Sequence, residues 1–134
     1  MNLYKDTIRG LHFLLPPYTD AKLLRCTRGE IYDVFVDLRK GSHTLGKWDS
    51  CHLREDDYRW LYLPKGFAHG YCSITDRSEI IYKHDTFYQK SADNGIRWND
   101  PDIDITWPCD KPLISEKDQK LPSFDEFIST VGGI

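Results

Sequence analysis

What this sequence lacks narrows its function quickly. It has no apolar run approaching the roughly 20 residues of a transmembrane helix, so a membrane role is not expected. Its 18 basic and 21 acidic side chains leave a formal net charge of −3. No general attraction to phosphate backbones or anionic lipids follows from that balance, and nucleic acid is set aside as a partner. There is no glycine-rich dinucleotide loop and no P-loop, which removes the usual phosphate cradles of redox and nucleotide-hydrolysing enzymes. Cys26, Cys51, Cys72 and Cys109 form no C-x-x-C pair and stand at no metal-ligand spacing from a histidine. Met1 to Lys5 carry no apolar signal segment, so the thiols are expected to be reduced and the protein cytoplasmic.

What is present is a β-pattern. At 134 residues the chain is expected to form one domain over positions 1–134, long enough to bury a core. Ala21–Thr27 and Glu30–Leu38 read as strands divided by Arg28-Gly29, a turn of the hairpin type. In the second strand Tyr32, Val34, Val36 and Leu38 share one face, expected to pack on another sheet. Ile31, Asp33, Phe35 and Asp37 share the other, a mixed face suited to lining something. Trp60–Leu63, Tyr71–Ile74 and Glu79–Asp85 continue the alternation, with breaks at Pro64-Lys65-Gly66 and at Thr75 to Ser78. Short strands with turns about every 8–12 residues predict an all-β sandwich or barrel. After Trp98-Asn99-Asp100-Pro101 an irregular, proline-containing stretch leads to a short helix near Ser123–Val131. Ser123 is placed to cap it, with Glu126 three residues on, and Gly132 and Gly133 are expected to fray.

Several side chains in these strands handle protons or carry charge. In an unbroken strand His12 points with Gly10 and Leu14, while Arg9, Leu11 and Phe13 point away. Small and apolar neighbours would keep the imidazole largely neutral, and a neutral imidazole with an ordinary pKa of about 6.5 is a ready base. A hydrogen-bonded structural histidine fits the same pattern. His69 lies in P-x-G-x-x-H-G, which resembles the second motif of the cupin barrels, where the histidine points inward and in many members helps hold a metal. The companion cupin motif, H-x-H with a later glutamate, is missing: His12 is followed by Phe13 and Leu14. His43, His52 and His84 stand in turn or strand-edge contexts without ligand spacing, so a metal-free barrel is expected. Tyr82 shares a face with Ile80, and a phenol of pKa near 10 can return a proton to an enolate, although simple core packing is the plainer role. Lys22 is a lone cation in the apolar run Ala21-Lys22-Leu23-Leu24, able to steady an oxyanion if it faces inward.

Taken together, Arg9-Gly10-Leu11-His12-Phe13, Ala21-Lys22-Leu23-Leu24-Arg25, the run Gly29 to Arg39, Pro64 to Tyr71, Tyr82-Lys83 and Gly95 to Pro101 resemble the dTDP-4-dehydrorhamnose 3,5-epimerase family. They do so in order and at matching spacing, from about Ile8 to about Phe124. The resemblance implies a cupin-type jelly-roll β-sandwich or barrel, without metal or cofactor and usually a homodimer. It implies a nucleotide-sugar substrate and epimerisation at C3 and/or C5 of a 4-keto-6-deoxy sugar. By motif, His12 would take the proton next to the ketone and Asp118, in Ser115-Glu116-Lys117-Asp118, would orient it. Tyr82 would return a proton from the opposite face and Lys22 would hold the enolate oxygen. Arg9, Arg25, His69 and Tyr88 would bind the substrate.

The chemistry is coherent. A ketone acidifies the hydrogens on both flanking carbons, so a base, an acid and a fixed cation suffice without a redox cofactor. Two departures stand out. Family members carry an F-x-D-x-R-G-x-F motif and a Q-x-N stretch ahead of this region, gripping the nucleotide partly across the dimer interface; here only eight residues precede Arg9. Leu14 also stands where the family has glutamine. The reading is a retained catalytic set and a trimmed substrate-reading set, with a keto-isomerase or a non-catalytic sugar-binding cupin as the other uses of the same scaffold.

Overall fold

Strand alternation sorts the chain into two sheets. The computed structural model describes residues 1–2 and 4–134. Its strands are β1 (Thr7–Leu14), β2 (Lys22–Arg28), β3 (Glu30–Asp37), β4 (Trp48–Arg54), β5 (Leu61–Leu63), β6 (Phe67–Ser73), β7 (Glu79–His84), β8 (Asp93–Gly95) and β9 (Leu113–Ile114). Two short helices follow, α1 (Glu116–Gln119) and α2 (Phe124–Thr130). The larger sheet has the order β4-β3-β6-β1-β8, with β9 pairing in parallel to the start of β1; the smaller is β5-β2-β7. This is the all-β, cupin-like sandwich with a short C-terminal helix that the alternation and the resemblance led us to expect.

The turn at Arg28-Gly29 does something other than expected. β2 pairs with β5 and β7, and β3 with β4 and β6, so the chain crosses between sheets there instead of closing a hairpin. Gly29 has φ +74°, and a Cβ on it would meet the Thr75 hydroxyl at 2.2 Å, so the corner takes glycine alone. β4 escaped the sequence reading because Trp48 to Arg54 has no clean period of two; its seven-residue ladder with β3 creates it.

The apolar face of β3 meets a different partner from the one expected, while the mixed face carries Asp33 to His69 at the cavity between the sheets. Val34, Val36 and Leu38 pack with Leu11, Phe13, Ala68, Ile96, Ile103 and Phe127. That core is therefore closed by α2 and the irregular C-terminal segment, not by the second sheet. The mixed face, through Ile31, meets Leu24, Cys26 and Leu63 of the smaller sheet. Ser123 caps α2 as predicted, its Oγ accepting from the Glu126 N–H at 3.1 Å. Buried Asp100 ties the irregular stretch together by accepting the Asp102, Ile103 and Phe124 N–H groups. The final residues do not fray: Gly133 is buried, and Ile134 exchanges backbone hydrogen bonds with Leu38 and Lys40.

Candidate active site

The space between the sheets opens into a cavity of about 370 Å³, a size suited to a small-molecule ligand. His12 and His69 reach it from the large sheet; Lys22, Tyr82 and His84 reach it from the small one. Cross-strand register explains the grouping. His12 is paired with His69, Lys22 with His84, and Leu24 with Tyr82, and paired residues project from the same face.

Register in β1 is what an unbroken alternation misses. The pairing with β6 shifts between Arg9 and His12, where the Gly10–Leu11 peptide is cis and Gly10 has φ +128°. A Cβ on Gly10 would lie 2.7 Å from the Gly70 Cα, so the strands approach too closely for any side chain. The irregularity absorbs a residue, and Arg9 and His12, three apart, both face inward: an adjoining cavity of about 330 Å³ is lined by Arg9, His12, His69, Tyr71 and Tyr82. Arg9 thus points with His12 and not with Leu11 and Phe13, which are buried in the main core.

His12 is not sheltered by burial, contrary to the sequence expectation. Its side chain is 36% exposed, and its Nε2 lies 2.7 Å from Oδ1 of Asp118, a buried carboxylate. Asp118 sits in the single turn of α1, whose N-cap Ser115 accepts the Asp118 N–H. Its second oxygen accepts the Gly10 N–H at 3.1 Å. Burial pushes the Asp118 carboxyl up, but the His12 and Gly10 hydrogen bonds and the Lys117 charge outweigh it and leave it below the ordinary carboxylate value.

A second imidazole–carboxylate pair lies deeper. His69 Nε2 is 2.7 Å from Asp33 Oδ2, and both side chains are buried. Burial raises the Asp33 carboxyl against the opposing pull of His69 and Lys22. Lys22 is shifted the other way, lowered by burial despite Asp20, Asp33 and Asp93. Tyr82 keeps about a third of its surface at the cavity mouth. Desolvation of its phenol, with Tyr71 and Asp33 adding to it, drives that group far above its ordinary value, so it is fully protonated at neutral pH. Its ring meets His69 edge-on at 5.8 Å between centroids.

The remaining expected residues divide. Tyr88 stands on the rim, its hydroxyl donating to Asp93 Oδ2 at 3.0 Å. Leu14 lines the cavity, as the strand pattern indicated. Arg25 does not: with Lys22 and Leu24 turned inward, alternation sends it to the outer face of the small sheet, where its guanidinium lies over the Tyr58 ring at 5.1 Å. Arg25 is therefore withdrawn from the substrate-binding set for this subunit's cavity. Sequence reasoning also passed over several neighbours. His84, two residues beyond Tyr82 and hence on its face, is held at 2.6 Å by Asp20; continuing the alternation one step would have found it. Asp93 and Lys117, joined at 2.9 Å, come from segments without a usable period.

A family model described as dTDP-4-dehydrorhamnose 3,5-epimerase matches residues 1–126. A protein of that name from Shigella flexneri is 47% identical over 127 residues, covering 92% of this chain and 70% of its own length. The crystal structure of the Bacillus anthracis dTDP-4-dehydrorhamnose 3,5-epimerase with TDP and PPi bound superposes with a TM-score of 0.90 at 43% identity, over 92% of this chain and 70% of that one. A 3'-monoepimerase from Streptomyces bikiniensis in complex with dTDP-quinovose gives 0.88 at 31% identity, over 94% and 64%. The chain thus spans between 64% and 70% of the length of these three relatives. With a match this continuous in sequence and in backbone, the chain belongs to the dTDP-4-dehydrorhamnose 3,5-epimerase family of sugar-nucleotide epimerases.

Proposed function

We propose that this chain epimerises a nucleotide-linked 4-keto-6-deoxy sugar at C3 and/or C5, with His12 as base, Lys22 as the oxyanion cation and Tyr82 as acid. The observation that carries the reading is the convergence of these three side chains on one cavity from two facing sheets. With Asp118 ionised and accepting from Nε2–H, the lone pair of His12 is left on Nδ1. That nitrogen takes the proton from the carbon beside the ketone. The electron pair moves onto the C4 oxygen as an enolate, where the Lys22 ammonium steadies it. On collapse, the carbon receives a proton from the Tyr82 hydroxyl, which the opposite sheet supplies, and the centre is inverted. Asp118 is a positioning residue in this scheme. Arg9, His69 and Tyr88 are assigned to the sugar and its diphosphate, Arg9 being anchored by its Nε bond to Asn2 at 2.8 Å.

A homodimer is part of the same proposal. The outer face of β5-β2-β7 exposes Tyr62 and Ile81, and Tyr58 and Trp60 continue it, with Arg25 and Lys83 lying over the last two rings. An aromatic patch of this kind suits burial against a second copy. Among the described residues no helix is long and apolar enough to cross a membrane. The four free cysteines fit work in the reducing cytoplasm.

The test is proton exchange. Incubation with dTDP-4-keto-6-deoxyglucose in deuterated buffer, followed by NMR, is expected to show deuterium entering C3, C5 or both, and none with a His12→Ala variant. Binding without exchange, with this sugar and with its CDP and GDP analogues, would instead assign the fold a purely sugar-binding role.

A further inference from the structure

A second constellation lies on the other side of the large sheet. Cys72 follows Tyr71 on β6, so the period of two turns it away from the face that carries His69 and Tyr71. Its Sγ stands 3.7 Å from the Sγ of Cys109, in the irregular segment before β9, and both thiols are free. Asp6 completes the group: a carboxylate oxygen and the two sulfurs all lie within 4.8 Å of one another. Among the hydrogen bonds of the described residues none uses the Asp6 carboxylate, whereas its backbone is clamped on both sides. The Asp6 N–H donates to Ser73 O and its carbonyl accepts from Leu113 N, each at 2.8 Å. The clamp holds Asp6 at φ +60°, a left-handed conformation that L residues seldom adopt and that here aims the side chain at the sulfurs.

We infer that Asp6, Cys72 and Cys109 form a binding site for a thiophilic divalent cation of the zinc class, with water as the fourth ligand. Two thiolates bound at about 2.3 Å to one ion at a tetrahedral angle lie about 3.8 Å apart, which matches the observed sulfur separation. Cys72 is buried while Cys109 and Asp6 are half-exposed, so an ion has a way in and the outer position faces solvent. A thiol with an ordinary pKa of about 8.5 is mostly protonated at neutral pH. Binding is then an exchange: the cation enters, two S–H bonds break, two metal–sulfur bonds form, and two protons leave to solvent. The site lies apart from the cavity and takes no part in the proposed epimerisation. Its effect is to fasten the segment around Cys109 to β6 and to the start of β1, and that segment runs directly through β9 into α1, which carries Asp118.

Cobalt(II) is the probe. Titrated into reduced, metal-free protein, one equivalent is expected to produce a thiolate-to-cobalt charge-transfer band with the visible bands of a tetrahedral site, to release two protons, and to be displaced by Zn²⁺. Cys109→Ser removes the charge-transfer band, whereas Cys51→Ser leaves it unchanged. Asp6→Asn weakens Co²⁺ binding by at least about tenfold, a loss that even outer-shell changes cause. A folded, reduced protein that shows no thiolate band overturns the site, as does a band that persists in Cys109→Ser. Proton release in the unsubstituted protein is an independent measure should Cys109→Ser fail to fold, and no release overturns the site as well.

Discussion

The two faces of the six-stranded sheet are built from the same strands but by opposite rules. On one, Leu11, Phe13, Val34, Val36 and Ala68 meet Phe127 of α2 in a layer of hydrocarbon, where Phe13 and Phe127 pack edge to face at 5.3 Å between centroids. On the other, the same strands set His12, Asp33 and His69 toward the small sheet, with Asp33 and His69 buried. Burial is favourable on the first face. On the second it acts against charge, and imidazole–carboxylate pairing offsets part of that cost: His12 with Asp118 of α1, His69 with Asp33. One face holds the sheet in shape; the other uses that shape to keep ionisable groups where water would otherwise disperse them.

Substitutions can separate the two faces. The largest effect is expected from His12→Ala, which should lower the rate of proton exchange about 10³-fold, within the range for loss of a general base. The same change leaves the buried Asp118 carboxylate without its imidazole partner, so the melting temperature should fall as well; an exchange rate that survives the substitution would mean that His12 is a structural residue only. Phe127→Ala should act on stability alone, costing about 3–5 kcal/mol in denaturant unfolding while sparing the exchange rate per folded molecule. A smaller effect is expected from pH. The Asp118 carboxyl is depressed in the folded state, so its contribution to stability is complete above the ordinary carboxylate value of about 3.9 and is lost as pH falls through its folded value. Asp118→Asn should therefore flatten the decline in stability below about pH 4 and leave the profile near neutrality parallel to that of the parent. If the acid limb is unchanged, the carboxylate is not held by His12 and the Gly10 N–H as described. The smallest effect belongs to the cap of α2: Ser123→Ala should cost about 1 kcal/mol, read as a shift in the urea midpoint with no change in exchange kinetics.

Much of the cavity was legible in the strand pattern because period two assigns faces reliably where a strand is regular. Lys22, Tyr82 and His69 lie in such stretches and line the cavity: alternation groups each with its neighbours on one face, the resemblance turns His69 inward, and the direction of Lys22 and Tyr82 is settled only by the pairing of the strands. Unbroken alternation puts Arg9 on the wrong side, because the pairing of β1 with β6 shifts register between Arg9 and His12. Arg25 failed differently. It belongs to a matching motif, yet its strand turns it outward onto Tyr58, and a motif does not state a direction. Asp118 was placed by resemblance alone, since nothing in the local spacing of α1 says that its carboxylate will cross 106 positions to meet His12.

The order of polar and apolar residues along each strand determined by itself that this chain would form a two-layered β-protein, cap a helix at Ser123 and carry its reactive groups on strands, because these are consequences of local geometry. Which face of β3 would meet the second sheet, where the C-terminal segment would close, and which carboxylate would hold which imidazole were decided only on folding. Those outcomes depend on distances between residues far apart in the chain, and they follow from the competition to bury apolar area while keeping buried ionisable groups close to a partner.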